Sequence, residues 1–77
     1  PKDVNHFTEL RTAIEVHAAR RAAELATPED IAELEGLSEQ MDREDTDHLD
    51  AIRFDFQFHR KIVDIVGNAV MSNIMEV

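Results

Sequence analysis

Apolar residues recur every three or four positions along most of this chain, a spacing that places them on one face of an α-helix. In the first segment the pattern predicts a helix over residues 5–26. Its apolar face is formed by Phe7, Leu10, Ile14, Ala18, Ala22 and Leu25. Alanine is frequent in the second half of this segment, which favours a helix and allows a neighbouring helix to approach closely.

A second helix is predicted over residues 28–42, because the residues before it form a helix start. Thr27 is a good N-cap, Pro28 suits the first helical position, and two acidic residues follow at the positive end of the helix dipole. The residues expected to be buried on this helix are Ile31, Leu34, Leu37 or Ser38, and Met41.

The third helix is predicted over residues 47–66, with Thr46 or Asp47 as its N-cap. Gly67 is expected to end it in the left-handed conformation that glycine adopts easily, and Asn68 can cap a fourth helix over 69–77. The apolar residues of that short helix are Val70, Met71, Ile74 and Met75.

Residues 54–58 alternate between phenylalanine and polar residues, which is the pattern of a strand. We prefer a helix here, because the alternation covers five residues whereas helical periodicity covers about eighteen and the caps on both sides agree with it. Apolar residues then fill more than half of the helix circumference, and such a helix is expected to have neighbours on several sides.

Composition supports an all-α fold and limits the functions that this chain can have by itself. With two glycines and two prolines in 77 residues, little of it is loop, and its length allows one small domain. The net charge is −9, whereas a protein that binds DNA needs a positively charged surface, so direct DNA binding by this chain is not expected. No membrane-spanning apolar run and no cysteine are present, which suits a cytoplasmic protein, and both ends look like cuts within a larger protein.

The main functional clue is Asp55 with His59, which lie near the centre of the apolar face of the third helix. Residues four apart lie one turn apart on the same face, so a carboxylate oxygen and an imidazole nitrogen could bind one divalent metal ion. A buried charge needs a partner or a metal. The alternative is a structural hydrogen bond between the two side chains, and two ligands alone do not complete a metal site.

The other candidates are weaker. His6 and His48 are expected to be exposed, and His17 to be a half-buried packing residue. Arg11 borders the apolar stripe of the first helix, where it could bind a carboxylate in bidentate geometry or pair with Glu15 one turn later. The acidic stretch around residues 42–50 lacks the glycine and final glutamate of a calcium-binding EF-hand.

Several of these residues, in this order and spacing, resemble a known domain. They begin with Glu9-Leu10-Arg11 and Glu15, continue through the alanine-rich segment and the helix start at 27–31, and end with Asp55-Phe56-Gln57-Phe58-His59 and Gly67-Asn68. The chain is similar to the N-terminal part of the FCD domain, the effector-binding domain of FadR-type regulators in the GntR family. Residues 1–77 would then be a partial FCD-like domain.

The resemblance implies an antiparallel helical bundle of which about four helices are present, usually as a homodimer. It implies a divalent metal, zinc or nickel, with Asp55 and His59 as its first two ligands and two further histidines from later helices. His6, His17 and His48 do not match those histidines. It also implies that Arg11 faces a small carboxylate effector, and that DNA is bound by a winged-helix domain outside this chain.

The sequence therefore predicts the effector-sensing and dimerisation domain of a bacterial transcription regulator, which is not an enzyme. One alternative is a helical oligomerisation module without a ligand, in which Asp55 and His59 form an internal hydrogen bond. Another is a helical metalloenzyme that uses the same pair, although no other nucleophile or general base is evident.

Overall fold

The computed structural model describes the backbone of residues 2–75 and the side chains of residues 5–75. It consists of four helices, α1 (Lys2–Leu25), α2 (Pro28–Asp42), α3 (His48–Val66) and α4 (Ala69–Met75). No strand occurs among these residues, and the predicted all-α fold is confirmed, including a helix through the alternating residues 54–58. The predicted end of the fourth helix at residues 76 and 77 lies outside the described residues.

The predicted start of α2 is confirmed, and it is a complete capping box. The Thr27 hydroxyl accepts a hydrogen bond from the Asp30 backbone N–H at 3.1 Å. In return, the Asp30 carboxylate accepts one from the Thr27 backbone N–H at 3.0 Å. Two backbone N–H groups that a helix start leaves without partners are therefore satisfied by side chains.

Both ends of α3 also follow the local sequence signals. Asp47 is the N-cap, and its carboxylate accepts a hydrogen bond from the Asp50 backbone N–H at 2.8 Å. Gly67 ends the helix with φ at 70°, which costs glycine no side-chain clash. The Asn68 side chain then accepts from the Met71 backbone N–H at 3.1 Å, so α4 begins two residues after α3 ends.

Helix α3 is the central element, because α1, α2 and α4 each pack against it. Its core contacts lie on the side of α1 and α4, where Ala18, Val63 and Met71 form one buried cluster. Ala18 retains 1% of its surface exposed, which shows how closely α1 approaches α3 at this alanine. The prediction that the alanine-rich segment allows close helix packing is confirmed at this position.

Several of the predicted core positions are exposed. Phe7, Leu10 and Leu25 on α1, and Ile31 on α2, lie on the surface, and no residue of α2 is fully buried. Helical periodicity identified the apolar face of each helix. A residue on that face is buried only if a neighbouring helix lies beside it at the same position along the helix axis. Among the described residues, the small interior consists of Ala18, Ala22, Val63 and Met71.

The contact between α2 and α3 contains charged side chains as well as apolar ones. The Lys61 ammonium on α3 lies 2.9 Å from a carboxylate oxygen of Asp30 and 2.7 Å from one of Glu33, both on α2. Lys61 and Asp30 keep 24% and 22% of their side-chain surfaces exposed. No helix of the described part of the chain is long and apolar enough to cross a membrane.

Candidate functional site

Asp55 and His59 do lie one helical turn apart on α3, as predicted, but they are not buried. The Asp55 Oδ1 and the His59 Nε2 are 3.3 Å apart, and the two side chains are 60% and 56% exposed. The expectation that they lie inside an apolar core is therefore wrong for the described residues. A helical wheel shows which residues share a face, but the neighbouring helices leave this part of the α3 surface uncovered.

The pair lines a groove of about 330 Å³ between α1, α3 and α4, which we call the α1–α3–α4 groove. Its charged and polar lining consists of Arg11, Glu15, Asp55, His59, Arg60 and Ser72. Its apolar lining consists of Ile52, Phe56, Val63 and Met75. The groove combines ionisable groups with hydrocarbon walls, an arrangement typical of small-molecule sites, and its volume is at the lower end of their range.

Arg11 joins the groove from α1, so two helices contribute the three residues that the sequence singled out. Its predicted pairing with Glu15 is confirmed, since the Arg11 Nε donates to a Glu15 carboxylate oxygen at 3.3 Å. Both side chains remain more than 40% exposed, so the pair is open to solvent. The contact uses Nε and leaves the outer edge of the guanidinium, with its two terminal nitrogens, outside this hydrogen bond.

Sequence reasoning missed two polar residues of the groove. Arg60 follows His59 directly, and its Nε donates to Asp64 one turn later at 3.4 Å. Ser72 lies on α4 between the apolar residues of that helix and is half-buried. Adjacency to His59 could have signalled Arg60, whereas the position of Ser72 depends on how α4 folds back after Gly67.

The imidazole of His59 has a second neighbour on its own helix. The Phe58 ring packs edge-on against it, with centroids 5.9 Å apart and planes at 84°. Such a T-shaped contact is favourable for aromatic rings and restricts the orientation of the imidazole. Phe58 itself is half-buried.

The other histidines lie away from this groove. His6 and His48 are exposed, as expected, whereas His17 is also exposed and is not the half-buried packing residue that its position suggested. Within the described residues, no group of three or more His, Cys, Asp or Glu side chains is placed to hold one metal ion. Asp55 and His59 are thus two donors of the kind that zinc and nickel accept, and not a full coordination sphere.

Comparison with known proteins shows which family the chain is similar to. A model of the FCD domain family matches residues 6–77. The chain is 35% identical over 74 residues to the HTH-type transcriptional repressor NanR of Enterobacter sp. (strain 638), and 38% identical to NanR of Salmonella newport (strain SL254) and of Salmonella enteritidis PT4 (strain P125109). Each alignment covers 96% of this chain but only 28% of the relative. No solved structure gives a significant match.

Proposed function

The chain belongs to the FCD domain family, and from this premise we propose that it is the effector-sensing and dimerisation part of a bacterial transcription regulator. The family membership agrees with the prediction that the chain is not an enzyme. Its relatives are named as transcriptional repressors, and the acidic charge of this chain suits a role in which a separate domain contacts DNA. The observation that carries the proposal is that Arg11, Asp55 and His59 line one groove.

Asp55 and His59 would hold the divalent metal, zinc or nickel. Their donor atoms are 3.3 Å apart in the described structure, so small side-chain rotations could bring both to one ion. The exposure of the pair leaves its outer side accessible to further ligands, which the family resemblance assigns to residues outside this chain. When bound, the metal would supply a positive centre that attracts a carboxylate.

Arg11 would bind the carboxylate of a small organic acid. A guanidinium presents donors in a planar fork that matches the two oxygens of a carboxylate. The hydrogen bond to Glu15 uses Nε, and it would hold the side chain against α1 while the outer edge binds the effector. Because Arg11 is on α1 and the metal pair is on α3, one effector would connect two helices.

That connection suggests how binding could regulate DNA contacts. An effector shifts an equilibrium between two arrangements only by as much as it prefers one of them. Bridging α1 and α3 would favour the arrangement with the narrower groove. In a dimer that change would alter the relative position of the attached DNA-binding domains, which is allosteric coupling between two sites.

The metal content per chain tests the first part of this proposal. We expect bound zinc or nickel in the purified protein and its loss in His59→Ala, with His48→Ala as the matched control on the same helix outside the groove. Protons compete with metal for imidazole and carboxylate, so retention should fall between about pH 8 and about pH 5. Metal that persists in His59→Ala, or at the lower pH, would rule out this pair as ligands.

The second candidate function is a helical oligomerisation module without a ligand. It is favoured by large apolar side chains on the outside of α3 and α4, among which Leu49 is 77% exposed and Val70 is 67% exposed. Under this alternative Asp55 and His59 form only a surface hydrogen bond. Replacing both with leucine would then leave stability and oligomeric state unchanged, and no metal would be found even after zinc loading.

A further inference from the structure

The hydrocarbon part of the α1–α3–α4 groove indicates which kind of acid the groove would bind. Val63, which belongs to the buried cluster, and the half-buried Met75 provide its deeper apolar surface. Ile52 and Phe56 extend this surface along α3 and are 53% and 64% exposed. An apolar ligand group that covers the exposed surface of these side chains would make the free energy of binding more favourable by about 25 cal/mol for each Å² removed from water.

A ligand hydroxyl could hydrogen-bond to the charged side chains of the groove, but it would find no partner on the hydrocarbon surface of Ile52, Phe56, Val63 and Met75. Among its described lining residues, Ser72 is the one side chain with a hydroxyl or amide group. A ligand hydroxyl that is pressed against Val63 or Met75 would lose its hydrogen bonds to water without replacement, which is costly. The apolar part of the groove therefore disfavours hydroxyl groups on the portion of the ligand that covers it.

The charges of the groove limit the number of carboxylates that it can accept. Each arginine already has a carboxylate on its own helix, with Arg11 3.3 Å from Glu15 and Arg60 3.4 Å from Asp64. A second carboxylate on the ligand would meet these acids as well as the arginines. Like charges brought close together oppose binding, so one carboxylate fits better than two.

We propose that the groove takes a monocarboxylate with a hydrocarbon body, in preference to polyhydroxylated or dicarboxylic acids of the same length. The inference rests on the proposed function and specifies the effector class for the same site. The carboxylate would lie at the outer edge of Arg11, and the hydrocarbon chain would cover Ile52, Phe56 and Met75.

Three acids of equal chain length separate these possibilities. Hexanoate, gluconate and adipate each have six carbons and differ in hydroxyl groups or in a second carboxylate. Their affinities for the full chain would be measured by isothermal titration calorimetry, first with no metal added and then after zinc loading. We expect hexanoate to bind at least about tenfold more tightly than either of the others, which corresponds to about two buried CH₂ groups.

A matched pair of variants tests whether the hydrocarbon contact lies in the groove. Ile52→Thr should weaken hexanoate several-fold, because it replaces part of the apolar wall with a hydroxyl. Leu49→Thr makes the same kind of change at a more exposed residue of the same helix, outside the groove, and should leave hexanoate affinity unchanged. Equal losses in both variants would overturn the assignment of the contact to this groove.

The outcomes distinguish the inference from the function on which it rests. Gluconate or adipate binding as tightly as hexanoate, with the binding abolished by Arg11→Gln, would overturn the hydrocarbon preference and leave the acid-sensing groove in place. If none of the three acids binds, either without metal or after zinc loading, both the inference and the acid-sensing part of the proposed function are wrong.

Discussion

The two sides of α3 are held in different ways. On the side of α1 and α4, Ala18, Val63 and Met71 exclude water from one another, and the charged groups nearby pair along their own helices. On the side of α2, no residue of α2 is fully buried, and Lys61 reaches across to Asp30 and Glu33. Charges that pair between helices help to fix the packing, whereas charges that pair within one helix and face an open groove remain accessible to a ligand.

The largest effect should come from placing a charge in the apolar cluster. Ala18→Glu would bury a carboxylate against Val63 and Met71 without a partner, at a cost of about 3 kcal/mol or more. A chain of this size has about 4–12 kcal/mol of stability, so about a quarter to three quarters of it should be lost and the melting temperature should fall strongly. Thermal unfolding followed by circular dichroism measures this, with the exposed Ala19→Glu as control. Equal melting of the two variants would show that the cluster does not hold α1 on α3.

A smaller loss is expected at the start of α2. Thr27→Ala removes the hydroxyl that accepts the Asp30 backbone N–H and should reduce the free energy of unfolding by about 1 kcal/mol. Thr12→Ala, at an exposed position within α1, should be neutral or slightly stabilising because alanine is the better helix former. Chemical denaturation of both variants gives the comparison. If Thr27→Ala loses no more stability than Thr12→Ala, the capping box contributes nothing.

The ion pairs between α2 and α3 should make the stability depend on pH. The Thr27 backbone N–H and the Lys61 ammonium lower the pKa of Asp30 below its ordinary value of 3.8. Hydrogen bonds to Glu33 and Asp30 raise the pKa of Lys61 above its ordinary value of 10.5. The stabilisation from Asp30 is therefore present above about pH 4 and lost below it, and that from Lys61 is present below about pH 10 and lost above it. Melting temperatures across this range should depend less on pH in Lys61→Met.

The smallest expected effect is the salt dependence of the same contact. Lys61→Met should lower the melting temperature at low ionic strength, and the difference from the unchanged chain should shrink as salt screens the ion pairs. Arg53→Met is the control, because Arg53 pairs with Asp50 on its own helix at 3.6 Å and both groups are exposed. A difference that does not respond to salt would mean that Lys61 acts through the packing of its hydrocarbon stem.

Sequence reasoning was most successful where the structure depends on neighbouring residues. The start of α2 at Pro28, its N-cap Thr27 and the end of α3 at Gly67 were all predicted, because caps and turns are decided by a few adjacent side chains. The all-α fold follows from the same local signals. The capping role of the Asp30 side chain is also local, and the serine or threonine followed three residues later by an acid could have signalled it.

The sequence was least informative about which faces are covered. Asp55 and His59 share a face with apolar residues and yet are exposed. On the predicted apolar face of α1, Ala18 and Ala22 are buried whereas the larger Phe7 and Leu10 are exposed. Burial depends on the distance between two helices and on the position along their axes at which they make contact. Both are determined by contacts between residues far apart in the chain. The contribution of Arg60 and Ser72 to the groove has the same cause.

The carboxylate of Asp30 has two partners at once, one on each oxygen. One oxygen accepts the Thr27 backbone N–H, and the other lies 2.9 Å from the Lys61 ammonium. Fraying of the first turn of α2 therefore also weakens the ion pair between α2 and α3. We expect unfolding of this turn and separation of the ion pair to occur together. In amide hydrogen exchange, the protection of the first turn of α2 should consequently fall in Lys61→Met, although the substitution is on a different helix.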